Sequence, residues 1–406
     1  MRPDRVAVTG ATGQVGAALV RRLHEEGAHV VAATRNALGA ALVHASVPDC
    51  DIRVGGLARS DGKHLLDDCD VILNCAIASS GANPRQAYAR NRALVDGLLE
   101  ARSLRWLIHF STVAVFGELI REHGDEQHAF EHPRPDSEYG RSKLDVERYA
   151  IAQSHKRGIQ VTILRLGHVY GAGIGRSREI VALSRDPSFR LPFDGRYPSN
   201  AIHVDRLAGA ILSLLNVKPA RRTFSFAEKA STWRDVYDWH TASLGLPPVR
   251  GMPEDESCAM RESWARASIR REVAAWARGL PVNRLVRSPV MFDMALRILA
   301  RTPERITKRV TDINRRIGAR GTVACMLSST GNAVARLYLS AGMPGPFLDL
   351  APIPAGGPGS DAERARALRA WVQLFSTPRL NANEAIDRAA PRRTGRFATV
   401  GGDGAQ

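Results

Sequence analysis

Val6-Ala7-Val8-Thr9-Gly10-Ala11-Thr12-Gly13-Gln14-Val15-Gly16 decides the fold. A short β-rich run enters glycines at 10, 13 and 16, and apolar residues at helical spacing follow at Leu19, Val20 and Leu23. The expected order is strand, tight turn, helix. Without side chains, Gly10 and Gly13 let backbone N–H groups approach a pyrophosphate, whose charge a helix N-terminus favours, while Gly16 permits close helix–strand packing. The expected guest is a dinucleotide, with Gly10, Thr12, Gly13, Gln14, Val15 and Gly16 around it. A glycine-rich turn with a purely structural purpose is the rival reading, and the rest of the chain has to separate the two.

Working outward, His29 to Ala33 reads as a second strand ending at Thr34-Arg35-Asn36. An acidic residue at this tip would accept from the ribose hydroxyls of NAD and repel a 2′-phosphate, whereas an arginine pairs with that phosphate. Thr34 stands at the acidic position and Arg35 follows, so NADP is favoured over NAD. An exposed loop arginine, or one stacked on adenine, leaves NAD open. Further strand patterns end near Gly55-Gly56-Leu57, at Val71-Ile72-Leu73, at Trp106-Leu107-Ile108-His109-Phe110 and at Val161-Thr162-Ile163-Leu164. Strands alternating with helical patterns predict a parallel, doubly wound α/β sheet of Rossmann type, with ligands beyond its carboxyl ends.

Tyr139-Gly140-Arg141-Ser142-Lys143 supplies chemistry for such an edge. On a helix, Tyr139 and Lys143 share one face, and an ammonium beside a phenol lowers the phenol pKa from its usual value near 10. Tyrosine then becomes usable for acid–base catalysis at neutral pH. Alone, the spacing is equally that of an exposed helical pair.

Taken with the glycine turn, these residues place the chain beside a known family. Asn74-Cys75-Ala76 closes a strand as an N-A-A or H-x-A segment does. Ser111-Thr112-Val113-Ala114-Val115-Phe116-Gly117 is similar to S-[ST]-x-x-V-[YF]-G. Leu164-Arg165-Leu166-Gly167-His168-Val169-Tyr170-Gly171 matches L-R-x-x-x-V-Y-G, and Ile202-His203-Val204-Asp205 matches V-H-V-D. Their order and spacing over residues 1 to about 250 resemble the extended branch of the short-chain dehydrogenase/reductase superfamily, the epimerase/dehydratase-like enzymes.

The resemblance implies an NAD(P)-dependent oxidoreductase acting on a carbonyl or secondary alcohol. Tyr139 is its implied acid–base group, Lys143 lowers the tyrosine pKa and holds the nicotinamide ribose, Thr112 polarises the substrate oxygen, and Asn91 supports a relay water. Leu57, Cys75 and Ala76 are implied cofactor contacts. An epimerase would use the same groups in a transient oxidation. Val113 and Ala114 stand where 4,6-dehydratases carry Asp-Glu, which argues against dehydration. His168 replaces a common asparagine, and the arginine that often precedes V-H-V-D is missing; both departures argue against a nucleotide-linked sugar, which stays one candidate beside a plain carbonyl or alcohol substrate. His168, His203 and Asp205 are otherwise wall or framework residues.

Composition bounds the rest. A chain of 406 residues suits a Rossmann unit, a substrate lobe and an addition. Five scattered cysteines suggest a reduced, cytoplasmic setting and no disulfide framework, and no metal-ligand spacing is present. No signal peptide or spanning segment is expected. A formal charge of +16 suggests an anionic partner, with nucleic acid not expected. The domain reading is a cofactor domain with interleaved lobe over 1–250, the lobe mainly 168–250, a mainly helical basic extension over 251–389, and a polar tail, expected to be disordered, over 390–406.

Pro247-Pro248 marks the boundary. Ile306, Val310, Ile313 and Ile317 share a face while Arg305, Lys308, Arg309, Arg315 and Arg316 lie largely elsewhere. That basic amphipathic helix either docks on the body or touches an anionic surface, peripherally at the inner membrane. Ser360 and Glu363 fit a capping box opening a helix through Leu368, Trp371 and Val372. A homodimer is compatible with this reading. So is a second function class, a cofactor-binding regulatory or scaffold protein whose basic part carries the activity.

Overall fold

The apolar run of the glycine segment forms β1 (Val6–Thr9), buried at every residue, and α1 (Gln14–Glu25) follows the turn with Gly16, Leu19, Val20 and Leu23 buried. The chain is seen in a computed structural model. It describes residues 5–58, 62, 64–77, 84–117, 130–135, 137–217, 222–228, 231–257, 343, 346 and 360–376. After α1 come β2 (Val30–Thr34), α2 (Ala37–Ser46), β3 (Asp51–Val54), β4 (Val71–Asn74), α3 (Pro84–Leu99) and β5 (Trp106–Thr112). A 3₁₀ turn (Val113–Phe116) precedes α4 (Glu138–Lys156) and β6 (Gln160–Leu166).

The main sheet has seven strands in the order β10-β6-β5-β4-β1-β2-β3, with β10 spanning Arg222–Phe226, and every pairing is parallel. The order reverses direction beside β1, between β1 and β4, which is where an open parallel sheet leaves a crevice. Strands alternate their faces between two cores. Val8, Leu73, Ile108 and Leu164 belong to one, Ala7, Ile72, Leu107 and Ile163 to the other. Apolar residues on both faces are what a sheet covered by helices on both sides requires.

A second, smaller unit is built from β7 (His168–Tyr170) paired with β9 (Ala201–His203), β8 (Leu191–Pro192) paired with β11 (Gly251–Met252), and the helices α5 (Gly175–Ser184) and α7 (Trp233–Leu244). Its own core includes Tyr170, Phe189, Trp233, Val236 and Tyr237. Between the units, α6 (Val204–Leu215) packs against α1 and is capped by His203, whose Nδ1 accepts from the Asp205 N–H at 3.2 Å. His203 thus serves the framework.

The described residues beyond 250 pack on the same body. β11 pairs with the lobe, and α8 (Asp361–Ser376) lays Leu368 and Val372 against Val181 beside Trp239. The Glu363 N–H donates to Ser360 Oγ at 3.4 Å, the forward half of the expected capping box. The basic segment 305–317 and the tail 390–406 lie outside the described residues. Among the described residues no helix is long and apolar enough to cross a membrane, and no cluster of three or more His, Cys, Asp or Glu could hold a metal.

Candidate active site

The carboxyl ends of β2, β1, β4 and β5 set the predicted residues side by side, with Arg35 at one end and Thr112 at the other. Adjacent strands lie roughly 4.8 Å apart, so the row spans about 14 Å. At β1 the turn is as tight as the glycines suggest. Gly10 has φ +66°, a Cβ on it would meet the Ala76 nitrogen at 2.9 Å, and one on Gly16 would run into the Gly10 carbonyl oxygen. The N-cap of α1 is Gly13, with no side-chain cap, so the N–H groups of the first turn are left to an outside acceptor. Thr12, Gly13 and Gln14 are exposed and Val15 is half-buried. Gln14 also reaches the lobe, where its Oε1 accepts from the Gly175 N–H at 3.0 Å.

Arg35 is exposed and has no hydrogen-bond or ion-pair partner among the described residues. Leu57 is half-buried against the core under α3. Cys75 and Ala76 are half-buried, and the Cys75 thiol is pushed well up by burial, with Lys143 opposing.

Thr112 closes β5. Its Oγ1 accepts from the Ala114 N–H at 3.3 Å, capping the 3₁₀ turn, and its hydroxyl stands near enough to the Tyr139 phenol to favour the phenolate. The turn-capping role and the contact with Tyr139 therefore coexist. Tyr139 stands in the first turn of α4, capped by Ser137, whose Oγ accepts from the Gly140 N–H at 3.1 Å. Gly140 explains how helix and turn come so close, since a Cβ there would press into the Ala114 carbonyl. Tyr139 is half-exposed.

Lys143, one turn on, is buried, and its Nζ donates to the Phe110 carbonyl at 2.7 Å. Desolvation lowers its pKa to about 8, opposed by Glu147 and Cys75. The expected effect on Tyr139 takes the other sign. Its pKa is raised by burial, the neighbouring Thr112 hydroxyl opposes the rise, and Lys143 is not among the groups that move it. Lys143 is drawn inward to the Phe110 carbonyl, so its charge is spent on the strand below the phenol.

Asn91, on α3, is buried and lines a small cavity with Lys143 and His109. Thr112, Tyr139, Lys143 and Asn91 are thus gathered at one end of the row, and the glycine turn with Arg35 at the other.

Several residues that matter here were not singled out from the sequence. Glu147 and Arg165 form a buried ion pair at 3.0 Å, the Ser111 hydroxyl hydrogen-bonds Glu147, and Arg165 Nη1 donates to the Phe130 carbonyl at 2.8 Å. This triad ties α4, β5 and β6 together directly beneath Thr112 and Lys143. The signal was present, since Glu147 follows Lys143 by four residues and so shares its helix face.

Met343 carried no signal. Its side chain is buried among Val113, Val115, Phe116, Phe130 and Leu144, and its N–H donates to Asn200 Oδ1 at 2.7 Å. Asn200, at φ 47°, is one of three non-glycine residues with positive φ among the described residues, with Phe193 and Asp194, all in the lobe. His168 packs on Trp233 at 5.4 Å between ring centres and lies in the lobe wall.

Residues 6–188 match the model of the NAD dependent epimerase/dehydratase family. The dTDP-6-deoxy-L-talose 4-dehydrogenase (NAD(P)(+)) of Kitasatospora kifunensis is 32% identical over 175 residues, covering 42% of this chain and 54% of its own. The chain therefore spans about half the length of that relative. The 2'-dehydrokanamycin reductase of Streptomyces kanamyceticus is 28% identical over 261 residues, covering 60% of this chain and 67% of its own. The solved UDP-N-acetylglucosamine 4-epimerase of Bacillus cereus shares the fold at a TM-score of 0.50 and 20% identity, over 62% of this chain and 85% of its own.

Proposed function

Residues 6–188 belong to the NAD dependent epimerase/dehydratase family, and from that premise we propose that the chain is an NADP-dependent oxidoreductase that reduces, or in reverse forms, a carbonyl on a sugar-like substrate. The observation that carries the reading is the placing of Tyr139 beside Thr112, one helical turn from a buried Lys143, at the sheet edge that also holds the glycine cradle.

The residues present fit a dinucleotide. Gly10 and Gly16 leave open a cradle that a Cβ would fill, the uncapped first turn of α1 offers N–H donors to a pyrophosphate, and Arg35, exposed and without a partner among the described residues, is a cation for a 2′-phosphate. Leu57, Cys75 and Ala76 would flank the adenosine and ribose, and Lys143 would hold the ribose next to the nicotinamide. The nicotinamide, when bound, supplies or accepts the hydride. Tyr139 gives its phenolic proton to the substrate oxygen as that oxygen gains charge, and in oxidation takes a proton from the alcohol. Thr112 donates to the same oxygen and orients Tyr139. Lys143 keeps positive charge under the pair, anchored on Phe110.

The substrate class follows the relatives, whose names are those of a dehydrogenase and a reductase of sugar carbonyls. A nucleotide-linked 4-keto-6-deoxy sugar is the first candidate. The test is a panel of carbonyl compounds, with and without a nucleoside diphosphate, followed by absorbance of the reduced nicotinamide. Turnover of a sugar ketone with NADPH supports the reading. Tight NADPH binding with no turnover across the panel would favour a binding protein instead.

A further inference from the structure

Three polar side chains interrupt the apolar sheet interior in register. Thr9 pairs with Asn74 across β1 and β4, and Asn74 with His109 across β4 and β5, and all three are buried. Their hydrogen bonds have a direction. The Ala76 N–H donates to Thr9 Oγ1 at 3.3 Å, and the threonine's own proton goes to Asn74 Oδ1 at 2.8 Å. The Asn74 amide nitrogen is then the donor to His109 Nδ1 at 3.0 Å. A ring nitrogen that accepts carries no proton. Burial, with Lys143 alongside, lowers the imidazole pKa to about 3, so the ring is neutral and its one proton sits on Nε2. That Nε2–H is buried and meets no hydrogen-bonding protein atom among the described residues.

The ring also lines a cavity shared with Asn91, Leu94, Lys143 and Val146, of ≈ 10 Å³. This is about the room that one water needs, and a water is stable in such a space only with polar partners. Lys143 has three N–H donors, of which one is used on Phe110.

We propose that His109 is a positioning residue whose Nε2–H fixes one water in this cavity against Lys143 and Asn91, linking the Ala76 end of the cofactor crevice to the proton on Lys143. The inference rests on the reading of Lys143 as part of the catalytic set. The water accepts from His109 Nε2 and from Lys143 Nζ, so the buried ammonium gains an acceptor beyond the Phe110 carbonyl. The titratable groups facing Lys143 are Glu147 and Tyr139 from its own helix, Cys75 after β4 and His109 on β5. From α3 only the uncharged Asn91 and Leu94 line the cavity.

Two measurements on the resting protein test this. Nitrogen-15 NMR of the wild type reads the His109 tautomer: the Nε2–H form is expected at neutral pH, and the Nδ1–H form or an imidazolium overturns the proposal. Carbon-13 NMR of lysine Cε then follows the titration of Lys143 in His109→Leu and His109→Gln. Leucine removes the water's anchor and should lower the Lys143 pKa by roughly one unit, the scale of one hydrogen bond to a charged group. Glutamine accepts from Asn74 and donates to the water, and should restore the wild-type titration. An unchanged titration in leucine, or no recovery in glutamine, overturns it. If a variant does not fold, the tautomer in the wild type still decides. Neither readout needs turnover, so this proposal can fail while the oxidoreductase reading stands, and the reverse.

Discussion

Replacing Gly140 by alanine should separate the catalytic helix from the catalytic turn. Gly140 lies between Tyr139 and Lys143, and an added Cβ would meet the Ala114 carbonyl carbon and Pro135 Cβ at 3.0 Å each, with the Ala114 oxygen nearer still, where ordinary contact begins at 3.4 Å. The obstacle at Ala114 is backbone, so no rotamer change relieves it. Overpacking of this kind costs about 1–3 kcal/mol, and the gain in helix propensity from alanine, about 1 kcal/mol, offsets part of it. Stability should therefore change little. Geometry should change more, because Ala114 sits two residues after Thr112 and any retreat of α4 draws Tyr139 away from Thr112. A displacement of about 1 Å at reacting groups costs on the order of 10²-fold in turnover. The assay pairs kcat for carbonyl reduction with the Kd for NADPH from quenching of protein fluorescence. The expected result is a large fall in kcat with Kd and the melting temperature near wild type. Wild-type turnover in Gly140→Ala would refute the argument that the glycine sets the distance.

Three further outcomes follow from single residues. Arg35→Asp should move cofactor preference from NADP toward NAD, since a carboxylate repels a 2′-phosphate and accepts from ribose hydroxyls; an unchanged ratio of the two dissociation constants would remove Arg35 from phosphate recognition. Met343→Ala should cost about 2–5 kcal/mol in urea unfolding, because its side chain is buried against Val113, Val115, Phe116 and Leu144; equal stability would mean that residue 343 is not part of this core. Lys143 titrates at about 8 when folded against a usual 10.5, so the folded state gives up its proton first. The penalty for its buried charge is present below pH 8 and is relieved as pH rises to about 10.5, worth about 3 kcal/mol. The stability of wild type relative to Lys143→Met should rise over that window, and a flat difference would show that Lys143 is not desolvated.

The parts of this molecule that local pattern controls could be read before any coordinates. The glycine turn, the strands at Val71 and Trp106, and the Tyr139–Lys143 face depend on spacing within a few residues, and each appears where expected. What depends on burial or distance along the chain did not show. A positive neighbour was expected to lower the Tyr139 pKa, but the sign is set by how deeply each group sits and where Lys143 finds its acceptor. Asn74 and His109 read only as strand-end residues until the register set them against Thr9. Met343 lies more than two hundred residues from the turn it supports, and no periodicity links them.

The most direct test of the central claim is single-turnover reduction of a sugar ketone by NADPH in wild type and Tyr139→Phe, with cofactor affinity measured on the same samples. Phenylalanine keeps the ring and removes only the hydroxyl that meets Thr112. The account predicts unchanged NADPH binding and a hydride-transfer rate lower by on the order of 10²-fold or more, the scale of a positioned acid–base group. A Tyr139→Phe enzyme that transfers hydride at the wild-type rate would contradict it.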